Sequence, residues 1–248
     1  MFRVLKALPL ALAILTLGIL AISCGSSGNS TQARFVNAIP DATALDIEFN
    51  GTKDFTDVAF FGYLPSTGYT GVPAGTVTVK GFATGSTTNQ AFSDTVTLAT
   101  GTQYTLVATG FVSSNVVIVQ ATDNNTAPAN GNVNFRVINA SPSGPTAVDV
   151  YILPNPVQGG LGSCTAPNCI PGVAYQGIST PTTIPYNSNG QGFTMYVTTA
   201  GGTNPIFSQS LSVGSATAGS IRTLILTDIQ NGNPPGMNPQ AIVLNDLN

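Results

Sequence analysis

Beyond residue 33 the chain is governed by a period of two. Leu45, Ile47 and Phe49 alternate with Asp46, Glu48 and Asn50; Val77 and Val79 with Thr76, Thr78 and Lys80; Val96 and Leu98 with Thr95 and Thr97. Successive side chains of a strand point to opposite faces, so this pattern predicts strands with one face in a core. Residues 104–109 are more continuously apolar and suit a central strand, and Val116, Val117, Ile118 and Val119 close the first half. Asn50-Gly51, Pro73-Ala74-Gly75, Thr100-Gly101 and Ser113-Ser114-Asn115 separate these runs with turn residues. About seven short strands spaced by turns predict an all-β, Ig-like antiparallel sandwich of two sheets. No sustained helical period occurs after the first two dozen residues.

The pattern is then repeated. Arg34-Phe35-Val36-Asn37-Ala38-Ile39-Pro40 matches Arg136-Val137-Ile138-Asn139-Ala140-Ser141-Pro142. Ala44-Leu45-Asp46-Ile47-Glu48-Phe49 matches Ala147-Val148-Asp149-Val150-Tyr151-Ile152, and Gly101-Thr102-Gln103-Tyr104-Thr105-Leu106-Val107 matches Gly219-Ser220-Ile221-Arg222-Thr223-Leu224-Ile225. The preserved order and the spacing predict two domain-sized copies of one unit. We expect one sandwich over 33–123 and a second over 133–248. The joining stretch, 124–132, is polar, contains Pro and Gly, and is too short to let the units move far apart. The second unit carries an insertion over 153–172.

The first residues follow another rule. Arg3 and Lys6 precede an apolar run, residues 10–22, broken only by Thr16 and Gly18. Crossing a bilayer takes about 20 apolar residues, so the shorter run reads as the core of a signal peptide, 1–23. Leu20-Ala21-Ile22-Ser23-Cys24 resembles the bacterial lipobox, with Ala21 where Leu is usual. That resemblance implies cleavage before Cys24, a diacylglyceryl thioether on its sulfur and acylation of the new amino terminus; two or more chains anchor stably where one is marginal. Residues 24–32 form a Gly/Ser/Asn/Thr-rich tether. The expected address is the cell envelope, with the membrane itself as partner. If the source is Gram-negative, Gly25 after the Cys points to the outer membrane.

Composition supports this picture. Charged residues are 7% against about 25% in an average domain, which disfavours Lys/Glu-rich surface helices. Without the signal peptide, five basic and ten acidic residues remain. A mildly acidic chain with no basic cluster excludes a nucleic-acid partner and a polybasic lipid contact.

The repeat also carries a family resemblance. The start, residues 34–41 and Leu45-Asp46-Ile47, resembles the DUF4397 domain, as do Val72-Pro73-Ala74-Gly75 before a strand and Gly101-Thr102-Gln103-Tyr104-Thr105-Leu106-Val107-Ala108-Thr109-Gly110. The likeness covers both units. The second departs at Ser143-Gly144-Pro145 and where Ile184-Pro185-Tyr186-Asn187 replaces the Pro-Ala-Gly turn. The resemblance implies an exported bacterial surface domain with no assigned activity.

Candidate chemistry is sparse. Cys164 and Cys169 lie close together in a Gly/Pro-rich stretch; in an oxidising compartment they read as a disulfide bracing a loop. Their spacing is not Cys-x-x-Cys, and with no His in the chain a zinc site cannot be completed. The lack of His also removes Ser-His-Asp and Cys-His catalysis. Lys53 and Lys80 sit in no Ser-x-x-Lys motif. Glu48 is the one Glu, on a strand's outer face, where glycosidase chemistry needs a carboxylate pair.

Asp46 and Asp149 are equivalent, as are Asn37 and Asn139; they are read as satisfying backbone groups of the Asn-Ala-x-Pro turn, with a repeated ligand or calcium site as the sharper alternative. Asp123-Asn124-Asn125 resembles a cadherin calcium linker without the other acidic ligand motifs. Leu64-Pro65-Ser66-Thr67-Gly68 spells a sortase signal but lacks an apolar, basic tail and reads as a loop. Asn124-Asn125-Thr126 and Asn139-Ala140-Ser141 are glycosylation sequons, relevant only in a eukaryotic pathway that the lipobox argues against. Tyr63, Tyr69, Tyr175 and Tyr186 are aromatics of loops or strand ends.

These readings predict no catalytic, cofactor-binding or metal-binding residue. The expected function is a non-catalytic, lipid-anchored envelope protein presenting a binding or adhesion surface to an envelope polymer or surface protein. A structural spacer is the alternative, and an Asp-dependent hydrolase a weaker one.

Overall fold

The computed structural model describes residues 30–157, 159–186, 192–211, 219–230 and 240–247; Cys24 and the lipobox lie outside them. The described residues are all-β, with no helix. The first unit contributes β1 (Gln32–Ala38), β2 (Leu45–Phe49), β3 (Thr52–Val58), β4 (Gly62–Leu64), β5 (Thr70–Gly71), β6 (Gly75–Ala83), β7 (Gln90–Leu98), β8 (Gln103–Phe111) and β9 (Asn115–Thr122). The second contributes β10 (Asn132–Asn139), β11 (Ala147–Pro154), β12 (Cys169–Ala174), β13 (Thr182–Pro185), β14 (Phe193–Thr199), β15 (Pro205–Leu211), β16 (Ile221–Thr227) and β17 (Gln240–Leu247).

Each unit is a pair of sheets. In the first, an outer sheet β3-β2-β6-β7 faces an inner sheet β4-β1-β8-β9, to which β5 adds beside β1. The second repeats this as β12-β11-β14-β15 facing β13-β10-β16-β17. The turns follow the sequence. Asn50 and Gly51 take φ of 50° and 84°, the left-handed pair a two-residue hairpin between β2 and β3 requires.

Three expectations are corrected. The sheets are not purely antiparallel: β1 runs parallel to β8, and β10 to β16. These strands are far apart in sequence and joined through the outer sheet, so no hairpin forces them antiparallel. Each unit also has more strands than the seven expected, because short edge segments such as β4 and β5 carry too few residues to show a period. The insertion over 153–172 is narrower than its composition suggested. Its last residues, from Cys169, form β12, with Tyr151 opposite Cys169 and Val148 opposite Val173; the loop proper is 155–168.

A further feature is a core that alternation alone does not announce. Phe35, Ile47, Phe49, Val79 and Leu106 pack between the sheets of the first unit, and Phe135, Val150, Phe193, Met195 and Leu224 between those of the second. A further cluster joins the two inner sheets: Val36, Ala38, Val107, Val119 and Ala121 against Ile138, Ala140, Ile225, Ile242 and Leu244. The molecule is therefore four sheets deep: outer, inner, inner, outer. This explains the burial of β8 and β16 on both faces, visible as unbroken runs of buried residues. Each large aliphatic side chain in this seam contributes about 1.5–3 kcal/mol by burial.

Candidate functional site

The seam has a charged centre. Arg34 and Arg136 begin the seam-facing rows Arg34-Val36-Ala38 and Arg136-Ile138-Ala140, and Thr105 and Thr223 begin the neighbouring rows on β8 and β16. Asp123 and Asp246 end the rows that include Ala121 and Leu244. The Arg34 guanidinium donates to Thr105 Oγ1 through Nε (3.0 Å) and Nη2 (2.8 Å) and pairs with Asp246. The Arg136 guanidinium donates to Thr223 Oγ1 at the same two distances and to Asp123 Oδ1 at 2.6 Å. Thr105 donates to Asp123 Oδ2, and Thr223 to Asp246 Oδ2, both at 2.6 Å.

The remaining Arg–Asp contacts, Arg34 to Asp123 and Arg136 to Asp246, are each 3.8 Å. Each unit thus lends its arginine to the other unit's aspartate. The exchange continues beyond the charges: Thr109 donates to Ala140 O, and Thr227 to Ala38 O. The four charged side chains are 8% exposed or less. Burial opposes the Arg34 charge, but Asp246, Tyr69 and Asp123 more than offset this and hold its pKa above the usual arginine value.

The symmetry breaks beside the two arginines; Arg136 Nη1 also donates to Thr122 O at 2.9 Å. In the first unit Tyr69 covers Arg34, its ring centroid 5.3 Å from the guanidinium carbon, a cation–π distance. Its hydroxyl donates to Asp123 Oδ2 at 2.9 Å and accepts from Asn125 Nδ2 at 3.2 Å. Burial pushes the phenol pKa well above its ordinary value. In the second unit a cavity of about 400 Å³ opens beside Arg136 and Asp246, walled also by Asn124, Ile178, Pro181 and Ile221. A smaller one, about 160 Å³, lies at one end of the first sandwich against Asp41, Thr43, Asn89 and Val112. There the Asp41 carboxylate accepts from the Val112 and Ser113 amides.

The residues singled out from the sequence are mostly brought to separate places. Asn37 and Asn139 cap their turns as expected: each Oδ1 accepts an amide two residues on, from Ile39 and Ser141, and each Nδ2 donates to a carbonyl, of Val58 and Val173. Asp46 and Asp149 do not serve that turn. Asp46 lies buried on β2, pairs with Lys53 at 2.7 Å and accepts from the Asp57 and Gly85 amides. Lys53 holds its carboxyl below the usual range against the opposing effect of burial. Asp149 accepts from the Gly172 and Gly201 amides, binding the edge strand β12 and the β14–β15 turn to β11.

Asp123, read as a possible calcium ligand, has its carboxylate occupied by Arg136, Thr105 and Tyr69. The described residues hold no cluster of three metal-ligating side chains. Cys164 and Cys169 are bonded, with Cα atoms 5.2 Å apart. Of the tyrosines, Tyr63 packs at the seam, Tyr186 against the second core, and Tyr175 lies 3.5 Å from Thr109 Oγ1. The Leu64-Pro65-Ser66-Thr67-Gly68 segment is the loop that delivers Tyr69.

The quartet was missed, although a signal existed. Val119-Gln120-Ala121-Thr122-Asp123 and Ile242-Val243-Leu244-Asn245-Asp246 form one more matched pair, each ending in an acid that balances the repeated arginine.

Against known proteins, the family model for the domain of unknown function DUF4397 matches residues 31–151. That span takes in the first sandwich, β10 and the first part of β11. No curated protein matches the chain. Among solved structures the chain is similar to the Bacillus anthracis TIE protein at 12% identity and a TM-score of 0.26, covering 82% of this chain and 34% of that one. The chain thus spans about a third of that structure's length.

Proposed function

We propose that the chain is a non-catalytic, lipid-anchored protein of the cell envelope that presents a preorganised binding surface. The observation that carries this reading is the loop 155–168. It is largely exposed, yet tied at three points. Cys164–Cys169 closes its far end, Tyr151 Oη donates to Gly162 O at 2.9 Å, and the Ile152 amide donates to Asn168 O at 2.9 Å. Holding an exposed loop in one shape lowers the ordering entropy a partner must supply, and loops on rigid β scaffolds are where binding residues concentrate. Seven of the ten carboxylates fit the non-catalytic part of the reading. Asp41, Asp46, Asp94, Asp149 and Asp228 each accept backbone amides, and Asp123 and Asp246 belong to the buried quartet.

Face-to-face stacking weighs against the spacer alternative. Adding a unit this way thickens the body by about 10 Å per sheet layer rather than extending it end to end.

Two arms test the proposal. Cys24→Ser should move the protein from the membrane fraction to the soluble one and abolish labelling by radioactive palmitate. Purified envelope polymers and surface proteins should co-sediment with the wild type and lose at least about tenfold in affinity when 156–167 is replaced by a short Gly/Ser link. A screen in which nothing binds, or in which the loop replacement binds equally well, refutes the surface assignment.

A further inference from the structure

The seam cavity of the second unit carries an inference beyond that reading and independent of it. Strand register places Tyr69 and Pro181 at equivalent positions. Thr70 pairs with Ala33, the residue before Arg34, and Thr182 pairs with Phe135, the residue before Arg136. The preceding segments align too, because Tyr63 lies opposite Val36 and Ile178 opposite Ile138. Four residues, 65–68, separate Leu64 from Tyr69, but only Thr180 separates Ser179 from Pro181. The second unit therefore has neither the loop nor the ring that covers the arginine in the first.

What remains is a cavity of about 400 Å³ with the chemistry of the Tyr69 site on its walls. Arg136 takes the place of Arg34, and Asp246 that of Asp123. Ile178, at 41% exposure, is among the most exposed large apolar side chains of the described residues, and with Pro181 and Ile221 it gives the cavity an apolar side. The acceptors differ in the matching way. Asp123 accepts from Arg136, Thr105 and the Tyr69 hydroxyl. Asp246 accepts from Arg34 and Thr223, with the Arg136 guanidinium 3.8 Å away and the Arg222 charge also acting on it. Pro181, at the position of Tyr69, has no hydroxyl to donate to it.

We infer that this cavity binds a phenol ring, stacked on the Arg136 guanidinium with its hydroxyl donating to Asp246. The ring comes from a free phenolic compound or from a tyrosine of a polypeptide; the chemistry recognised is the same. Stacking on a partly desolvated guanidinium, a hydrogen bond to a carboxylate and contact with Ile178 and Pro181 supply the affinity. For a ligand of this size that corresponds to a Kd of about 0.1–5 mM.

The test is a ligand-observed NMR titration of the mature chain with p-cresol, toluene and the peptide acetyl-Gly-Tyr-Gly-amide. Saturable binding of p-cresol at one site, with toluene at least about fivefold weaker, is expected. The peptide arm separates the sources: tighter binding than p-cresol assigns a polypeptide tyrosine, weaker binding a free phenol. Pro181→Tyr, at an exposed position, places a ring in the cavity and should weaken p-cresol at least about tenfold. Tyr69→Ala should open an equivalent cavity on Arg34 and raise the stoichiometry from one to two. Failure of both p-cresol and the peptide to saturate overturns the inference. So does unchanged p-cresol binding in Pro181→Tyr, which holds even if Tyr69→Ala does not fold. Toluene binding as well as p-cresol overturns the Asp246 contact.

Discussion

Arg34, Arg136, Asp123 and Asp246 place two positive and two negative charges in an apolar seam. Removing such charges from water costs several kcal/mol per ion, and pairing roughly repays it. The aliphatic seam residues therefore supply the stability, and the quartet fixes the register in which the sheets meet. Losing one member leaves a buried charge uncompensated. Asp123→Asn should lower unfolding free energy by about 3–5 kcal/mol, measured by urea denaturation. Arg136→Met with Asp123→Leu should cost less than either substitution alone; a double variant as weak as the sum of the singles would show that the charges hold the seam together themselves.

Tyr69 makes a second test at this scale. Its folded pKa lies above its unfolded value of about 10. Its contribution is complete below pH 10 and is lost as pH rises through the folded value. Wild-type stability should accordingly fall more steeply above pH 10 than that of Tyr69→Phe, compared by urea denaturation across that range. Parallel curves would contradict the burial of the phenol.

At the scale of elements, the sequence was informative where one face is wet. β6 and β7 follow their alternation, and the turns at Asn50-Gly51 and Gly101 fall where left-handed backbone is adopted. It was less informative where both faces are dry. β8 reads as a central strand and is one, but the partners of Thr105 and Thr109 were not legible: their hydroxyls are hydrogen-bonded inside the seam. Asp46 misled: an acid in an alternating strand reads as exposed, whereas Lys53 and two backbone amides hold it inside. β12 was hidden for another reason. Cys169-Ile170-Pro171-Gly172 has the composition of a loop, and only pairing with β11 makes it an edge strand, the setting in which Pro is tolerated.

For the whole molecule, the internal repeat disclosed two like units but not how they meet. The short connection kept them close, and the reciprocal pattern of Arg, Thr and Asp decides that inner sheet lies on inner sheet. The candidate cavity is a product of that stacking, since its walls come from the linker, β10, β16, β17 and the segment before β13. Its ligand chemistry could not be read from either repeat alone; it emerges from comparing Tyr69 with Pro181 across the seam.

If the two sandwiches share a core, they unfold together. Equilibrium urea unfolding of the mature chain, followed by far-UV circular dichroism and by tyrosine fluorescence, tests this most directly. A shared seam gives one coincident transition, its m-value that of a domain of more than 200 residues, with Val107→Asp splitting it in two. Two separate transitions in the wild type would contradict the four-layer body and the seam site built upon it.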